Sequence, residues 1–201
     1  MSKSVIDLIN KLDYSIIADH RKDLLKPLHD YVILKVKQKV EANLNFICTH
    51  NSRRSQIAQV WAKIMSDYYG FNINCFSGGT IITECNKRTI ASFGRMGFII
   101  KNPGGENPHY ELTYHERKKP IIVFSKAYDD AINPKNNFAA IMTCTNADEN
   151  CPLIPGSEKR ISLPYEDPKV FDNSTLESEK YDEQSLQISI EMKYVFNNEL
   201  N

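Results

Sequence analysis

The chain has 201 residues, 41% apolar and 25% charged, the balance of one globular domain with an appended element. Lysine plus arginine equals aspartate plus glutamate at 25 each, so the net charge is zero and no global field gathers nucleic acid or an anionic membrane. No apolar run approaches a membrane span, and the opening MSKSVIDLINKLDYS lacks the apolar core and cleavage site of a signal peptide, so a cytoplasmic protein is expected.

Residues 1–42 read as a helical extension. Val5, Ile6, Ile9 and Leu12 share one helical face, and Leu24, Leu28, Tyr31 and Val32 share another after a break near Ser15–Asp19. Each face needs cover, which suggests packing within the chain or a homodimer through these helices. The main domain then runs over 43–201. Leu44–Cys48 is a short apolar strand that leads through THNSRRS into an amphipathic helix. Ile57, Trp61, Ile64, Met65 and Tyr68 line one face of that helix, with Gly70 as its C-cap. NINCF at 72–76 is a second strand closed by a turn at Ser77-Gly78-Gly79, and Thr89–Met96 a short helix ending at Gly97. Residues 101–119 are rich in Pro, Gly and charge, and a surface insertion of about 101–135 is expected there. Ile121–Phe124 and Phe138–Thr143 suit buried strands, 144–168 reads as loop, and a last helix over roughly 177–198 turns Tyr181, Ile188, Met192, Val195 and Phe196 inward. Strand–loop–helix alternation predicts an α/β fold with a central parallel four-stranded sheet and helices on both faces. Ligands in such sheets sit beyond the carboxyl ends of strands. Two loops in that position begin with a cysteine.

The first is Cys48-Thr49-His50-Asn51-Ser52-Arg53-Arg54-Ser55. Loop amides and the opening helix turn make a nest for a tetrahedral oxyanion, and Arg54 adds a planar fork to two of its oxygens. The same positive surroundings favour a nucleophilic thiolate at Cys48. Ser55 is placed to donate to that sulfur, and Asn51 to brace the loop. A lone Cys-x5-Arg would as readily be a buried structural cysteine; the preceding strand and the Arg-Ser that opens a helix favour chemistry. This pattern resembles the low-molecular-weight protein tyrosine phosphatase superfamily.

The second loop is CTNADENCPLIPGSEKRISLPYEDP, from Cys144 to Pro168. Its two cysteines have six residues between them, outside zinc-site spacing, and His109 and His115 lie in the insertion, so neither metal nor cofactor is expected. Such a pair near a reactive cysteine suits thiol–disulfide relay. Cys144, Ala147, Asp148, Cys151 and Pro152 resemble the second motif of the superfamily's thioredoxin-coupled arsenate reductases, and Asp167-Pro168 their acid loop. That resemblance implies arsenate attack by Cys48, protonation of the leaving oxygen by Asp167, and a Cys48–Cys144–Cys151 relay re-reduced by thioredoxin. The alternative it allows is a phosphatase acting on phosphotyrosine or small phosphomonoesters through Cys48, Arg54 and Asp167. A non-catalytic anion sensor is a third reading, which the intact Cys48, Arg54, Ser55 and Asp167 set argues against.

The chain departs from that pattern at three places. His50 stands where the family usually has Gly, so the loop is expected to need His50 in the left-handed region. Arg53 adds a second cation at the mouth. Some relatives in this branch bind potassium through the loop Asn and a helix carboxylate. Here Asn51 is present but Gln59 replaces the acid, which leaves Asn51 and Ser77 for loop support or a weakened cation site. Tyr165 stands either as an aromatic rim to the pocket or as a core residue. Cys75, Cys85 and Trp61 are read as structural.

Overall fold

The computed structural model describes residues 3–150 and 153–198. The core layer is a parallel sheet of β1 (Ala42–Cys48), β2 (Ile73–Gly79), β6 (Phe138–Met142) and β7 (Ser157–Ser162), in the order β2-β1-β6-β7. β1 and β6 are buried almost throughout because both their faces are covered. The next two strands of the chain to join this sheet, β2 and then β6, lie on opposite sides of β1. Its carboxyl end is therefore the switch point where loops diverge and leave a crevice.

Helix α3 (Arg54–Tyr69) connects β1 to β2 and buries Ile57, Trp61, Ile64 and Met65, with Gly70 closing it at a φ of 72°. The Tyr68 ring, expected on that face, is 37% exposed. Helix α6 (Glu177–Val195) packs on α3; Tyr181, Ile188, Met192, Val195 and Phe196 are all buried, and Trp61 donates to the Ser185 hydroxyl at 2.9 Å. Helix α4 (Lys87–Arg95) starts on an Asn86 cap and packs beside α6.

The amino-terminal helices α1 (Lys3–Lys11) and α2 (Asp19–Gln38) join the same apolar cluster as α3 and α6. Val5, Ile9 and Leu12 turn inward as predicted, and Lys193 on α6 donates 2.8 Å bonds to the carbonyls of Ile9 and Leu12. On α2 the expected Leu28, Tyr31 and Val32 are buried, joined by Leu25, His29 and Ile33, while Leu24 is 40% exposed. The apolar stripes that suggest a homodimer are thus covered from within the chain.

Three further segments differ from expectation. Ile121–Val123 (β5) does not enter the main sheet. It pairs antiparallel with β4 (Tyr110–Thr113), which pairs with β3 (Ile99–Lys101). Alternate residues Tyr110, Leu112 and Tyr114 are buried there, so the expected surface segment carries a period-2 strand with one face on the core. The vacated fourth place goes to β7, within the stretch read as loop. Its sequence SEKRIS buries Ile161 alone, because an edge strand needs few apolar residues. The same stretch holds a short helix, α5 (Thr145–Asn150). Nor is Ser77-Gly78-Gly79 a turn: β2 continues through it, and Gly79 pairs with Cys48. A Cβ on Gly79 would stand 2.8 Å from both Thr49 O and Asn51 N, so only glycine lets β2 run this close beneath the loop.

Candidate active site

Cys48 closes β1 and is 4% exposed. Its Sγ lies 3.0 Å from Ser55 Oγ, and the Asn51 backbone N–H points at it from 3.1 Å. These groups would stabilise charge on sulfur. Asn51, not His50, takes the left-handed turn, with φ 46°; asparagine tolerates that region, which removes the difficulty expected at His50. Asn51 then braces the loop on three sides. Its Nδ2 donates to Ser55 Oγ at 2.8 Å, its Oδ1 accepts from Lys126 N at 3.0 Å, and its carbonyl accepts from Gln56 Nε2 at 2.9 Å. The His50 ring is exposed, while its carbonyl accepts from the Ser125 hydroxyl at 2.8 Å. Ser52 donates to Glu84 O at 2.6 Å. The loop is therefore held by its own residues from within and by 83–86 and 124–126 from outside.

The guanidinium of Arg54 opens α3 and meets the acid loop directly. Its NH2 lies 2.7 Å from Asp167 Oδ2, and its NH1 donates to Tyr165 O at 3.0 Å. Asp167 Oδ1 accepts from Lys169 N at 3.1 Å, capping the 3-10 turn Pro168–Phe171. Arg53 is no free cation at the mouth. It donates to Tyr181 OH at 2.8 Å and faces Asp172 at 3.5 Å, tied to α6 and the turn before it. Tyr165 is 5% exposed, a core residue and not a rim.

Cys144 follows β6, and the pairing of Ile47 with Met142 brings it to the same sheet end as Cys48. Its Sγ lies 3.5 Å from Thr49 Oγ1 and 3.4 Å from Ala147 N, and its residue is 1% exposed. Both thiols are free and belong to one apolar cluster. Cys151, with Pro152, lies outside the described residues. Cys75 is buried on β2, and Cys85 is buried behind the loop, its thiol 3.8 Å from Ser52 O; burial pushes the Cys85 thiol up to about 12.

Ser77 is fully buried, and its hydroxyl donates to Gln59 Oε1 and faces Gln56 Oε1 at 3.4 Å. Where a helix carboxylate would face a cation, an amide is already engaged by a hydroxyl. Among the described residues no group of His, Cys, Asp and Glu is arranged to hold a metal ion, and no helix is long and apolar enough to cross a membrane. Lys126 supports the loop without having been legible as such: it is 3% exposed, and burial pushes its ammonium down to about 8.

Over 124 residues the chain is 32% identical to the arsenate reductase of Staphylococcus aureus strain Newman, a match covering 61% of this chain and 76% of that protein. It is 29% identical over 123 residues to arsenate reductase 1 of Staphylococcus saprophyticus, again covering 61% and 76%. No family model matches the chain. Among solved structures, a low-molecular-weight phosphotyrosine phosphatase from Vibrio cholerae O395 superposes with a TM-score of 0.52 at 16% identity, over 77% of this chain and 93% of that one. A low-molecular-weight protein tyrosine phosphatase from T. tengcongensis gives 0.53 at 13% identity, over 76% and 95%. At these identities the structural likeness concerns the fold alone.

Proposed function

The chain belongs to the arsenate reductases, enzymes with the low-molecular-weight tyrosine phosphatase fold, and from that premise we propose that it reduces arsenate to arsenite at Cys48. The observation that supports this reading most is the presence of two free thiols, Cys48 and Cys144, at one end of adjacent strands, the first inside an amide-lined loop that carries Arg54.

In the proposed reaction the loop amides of Thr49–Arg54 and the Arg54 fork bind the oxyanion. The Cys48 sulfur attacks arsenic, and Asp167 gives its proton to the departing oxygen, which leaves as water. The Cys144 thiolate then attacks Cys48 Sγ. The sulfur–arsenic bond breaks, its electron pair stays on arsenic, and arsenite leaves as a Cys48–Cys144 disulfide forms. Cys151 attacks Cys144 and expels the Cys48 thiolate, and the Cys144–Cys151 disulfide is reduced by a dithiol protein of the thioredoxin class. Ser55 and Asn51 hold the Cys48 sulfur and its loop; Ser77 supports the helix behind them.

Phosphomonoester hydrolysis is the second reading. It is favoured by the fact that Cys48, Arg54 and Asp167 are assembled without any need of Cys144 or Cys151. One experiment separates the two: arsenate-dependent NADPH oxidation with thioredoxin and thioredoxin reductase, run beside p-nitrophenyl phosphate hydrolysis. Coupled turnover that disappears in Cys144→Ser and in Cys151→Ser, while both variants still hydrolyse the aryl phosphate, is the expected result. Phosphate release without arsenate-dependent oxidation would make this a phosphatase; loss of both activities in the Cys151 variant would remove the relay.

A further inference from the structure

Two arginines grip the acid-bearing loop, and one of them lies in the amino-terminal extension. Between β7 and the 3-10 turn, residues 163–167 present two carbonyls to guanidinium groups. Arg54 of α3 takes Tyr165 O, and Arg21 of α2 takes Pro164 O at 2.9 Å. Arg21 is itself fixed fork to fork: its Nε and NH2 each lie 2.8 Å from an oxygen of Glu191 on α6. The two side chains are only 14% and 3% exposed, and the guanidinium carbon sits 4.6 Å from the centroid of the Tyr165 ring. A planar, bidentate, largely buried arginine has one orientation, so its remaining N–H meets the loop at one place.

The need for this grip arises when substrate binds. In the free protein Asp167 is held by Arg54 and by Lys169 N, and Arg53 Nε lies 4.0 Å from its Oδ1. An oxyanion in the loop draws the Arg54 fork to itself. Asp167 then keeps the Lys169 N bond and the longer Arg53 contact, and the backbone that carries it is placed by three anchors: Leu163 N on Met142 O, Tyr165 N on Thr143 O, and Arg21 on Pro164 O. The Arg21 contact is the side-chain anchor among these that does not compete with substrate.

We propose that Arg21 is a positioning residue for Asp167, so that the amino-terminal helical segment holds the proton donor of the reaction in place. This rests on Asp167 being the acid in the function proposed above. A misplacement of about 1 Å in a reacting group can lower a rate by about 100-fold, so a lost anchor is measurable.

The test uses the full chain and a series of aryl phosphates whose leaving groups rise in basicity from dinitrophenol to phenol. A basic leaving group needs the acid; dinitrophenolate does not. Arg21→Gln should lose about tenfold on phenyl phosphate and less than about twofold on the dinitrophenyl ester. Added to Asp167→Asn it should cost nothing more, since both changes disable one unit. Arg21→Lys, which keeps the charge without the fork, serves where the glutamine variant fails to fold and should show the same pattern in weaker form. Equal losses across the series, or a further loss on top of Asp167→Asn, would overturn the role of Arg21 while leaving Asp167 as acid. A flat leaving-group dependence in Asp167→Asn, or no hydrolysis by the unaltered chain, would overturn the acid itself and this proposal with it.

Discussion

In the free protein Arg54 already holds an anion, and the anion is the protein's own. Its contact with Asp167 at 2.7 Å means that an incoming oxyanion must displace a carboxylate from the same guanidinium. The pair is partly exposed, at 17% and 30%, so its displacement costs only about 1 kcal/mol. Asp167→Asn should therefore bind sulfate, used as a tetrahedral oxyanion probe, about threefold to tenfold more tightly while its turnover of phenyl phosphate falls about 100-fold. Inhibition constants measured beside kcat check this, and weaker sulfate binding in the variant would count against it. The residues of that site were legible in proportion to their closeness in sequence. Cys48, Asn51, Arg54 and Ser55 follow one another through a strand, a loop and a helix start, so their convergence is local geometry. The left-handed position fell on Asn51 and not on His50 because the sulfur-facing amide belongs to Asn51. Arg21, Ser125 and Lys126 carried no signal, since they meet Pro164, His50 and Asn51 across 143, 75 and 75 residues.

At the level of elements, the second sheet shows what pattern reading misses and what holds such a segment down. Charge, Pro and Gly around 101–119 mask the alternation of Tyr110, Leu112 and Tyr114, and a short apolar run such as Ile121–Val123 has no feature to say which sheet it joins. β7 was missed for the converse reason, being polar at an edge. What ties the second sheet to α3 is Asp67, whose side chain is 8% exposed and is met by Lys63 at 2.9 Å, Lys118 at 3.1 Å and the Tyr114 hydroxyl. Burial opposes ionisation of Asp67, but the bonds from Tyr114, Lys63 and Lys118 outweigh it and hold the carboxyl below its ordinary value. A depressed folded value stabilises above the unfolded one and is lost as pH falls through the folded one. Asp67→Asn should thus lower stability by about 2 kcal/mol at neutral pH, with the gap to the unaltered chain closing below about pH 4. Denaturant midpoints measured against pH provide the check, and a gap that stays constant into acid would show that Asp67 acts by shape and not by charge.

At the scale of the whole molecule, the question is whether residues 1–42 are an appendage or part of one folding unit. An appendage would bury its apolar face on a small, separable surface. Here Val5, Ile9 and Leu28 are fully buried in the same cluster as Trp61, Ile188 and Phe196, and Lys193 of α6 caps the carbonyls that end α1. Arg21 adds a buried ion pair to α6 and a contact to the acid loop. We therefore propose that extension and sheet domain unfold together. Trp61 is the sole tryptophan, buried between α3 and α6, so its fluorescence reports the sheet domain's core, whereas far-ultraviolet circular dichroism weighs all helices. The two transitions should coincide. Ile9→Ala leaves a cavity in that shared core and should shift both together, by about 2–5 kcal/mol. If the helical signal of Ile9→Ala were lost first, with the Trp61 transition staying where it is in the unaltered chain, the extension would be a separate unit. Its grip on the acid loop would then be removable without unfolding the site.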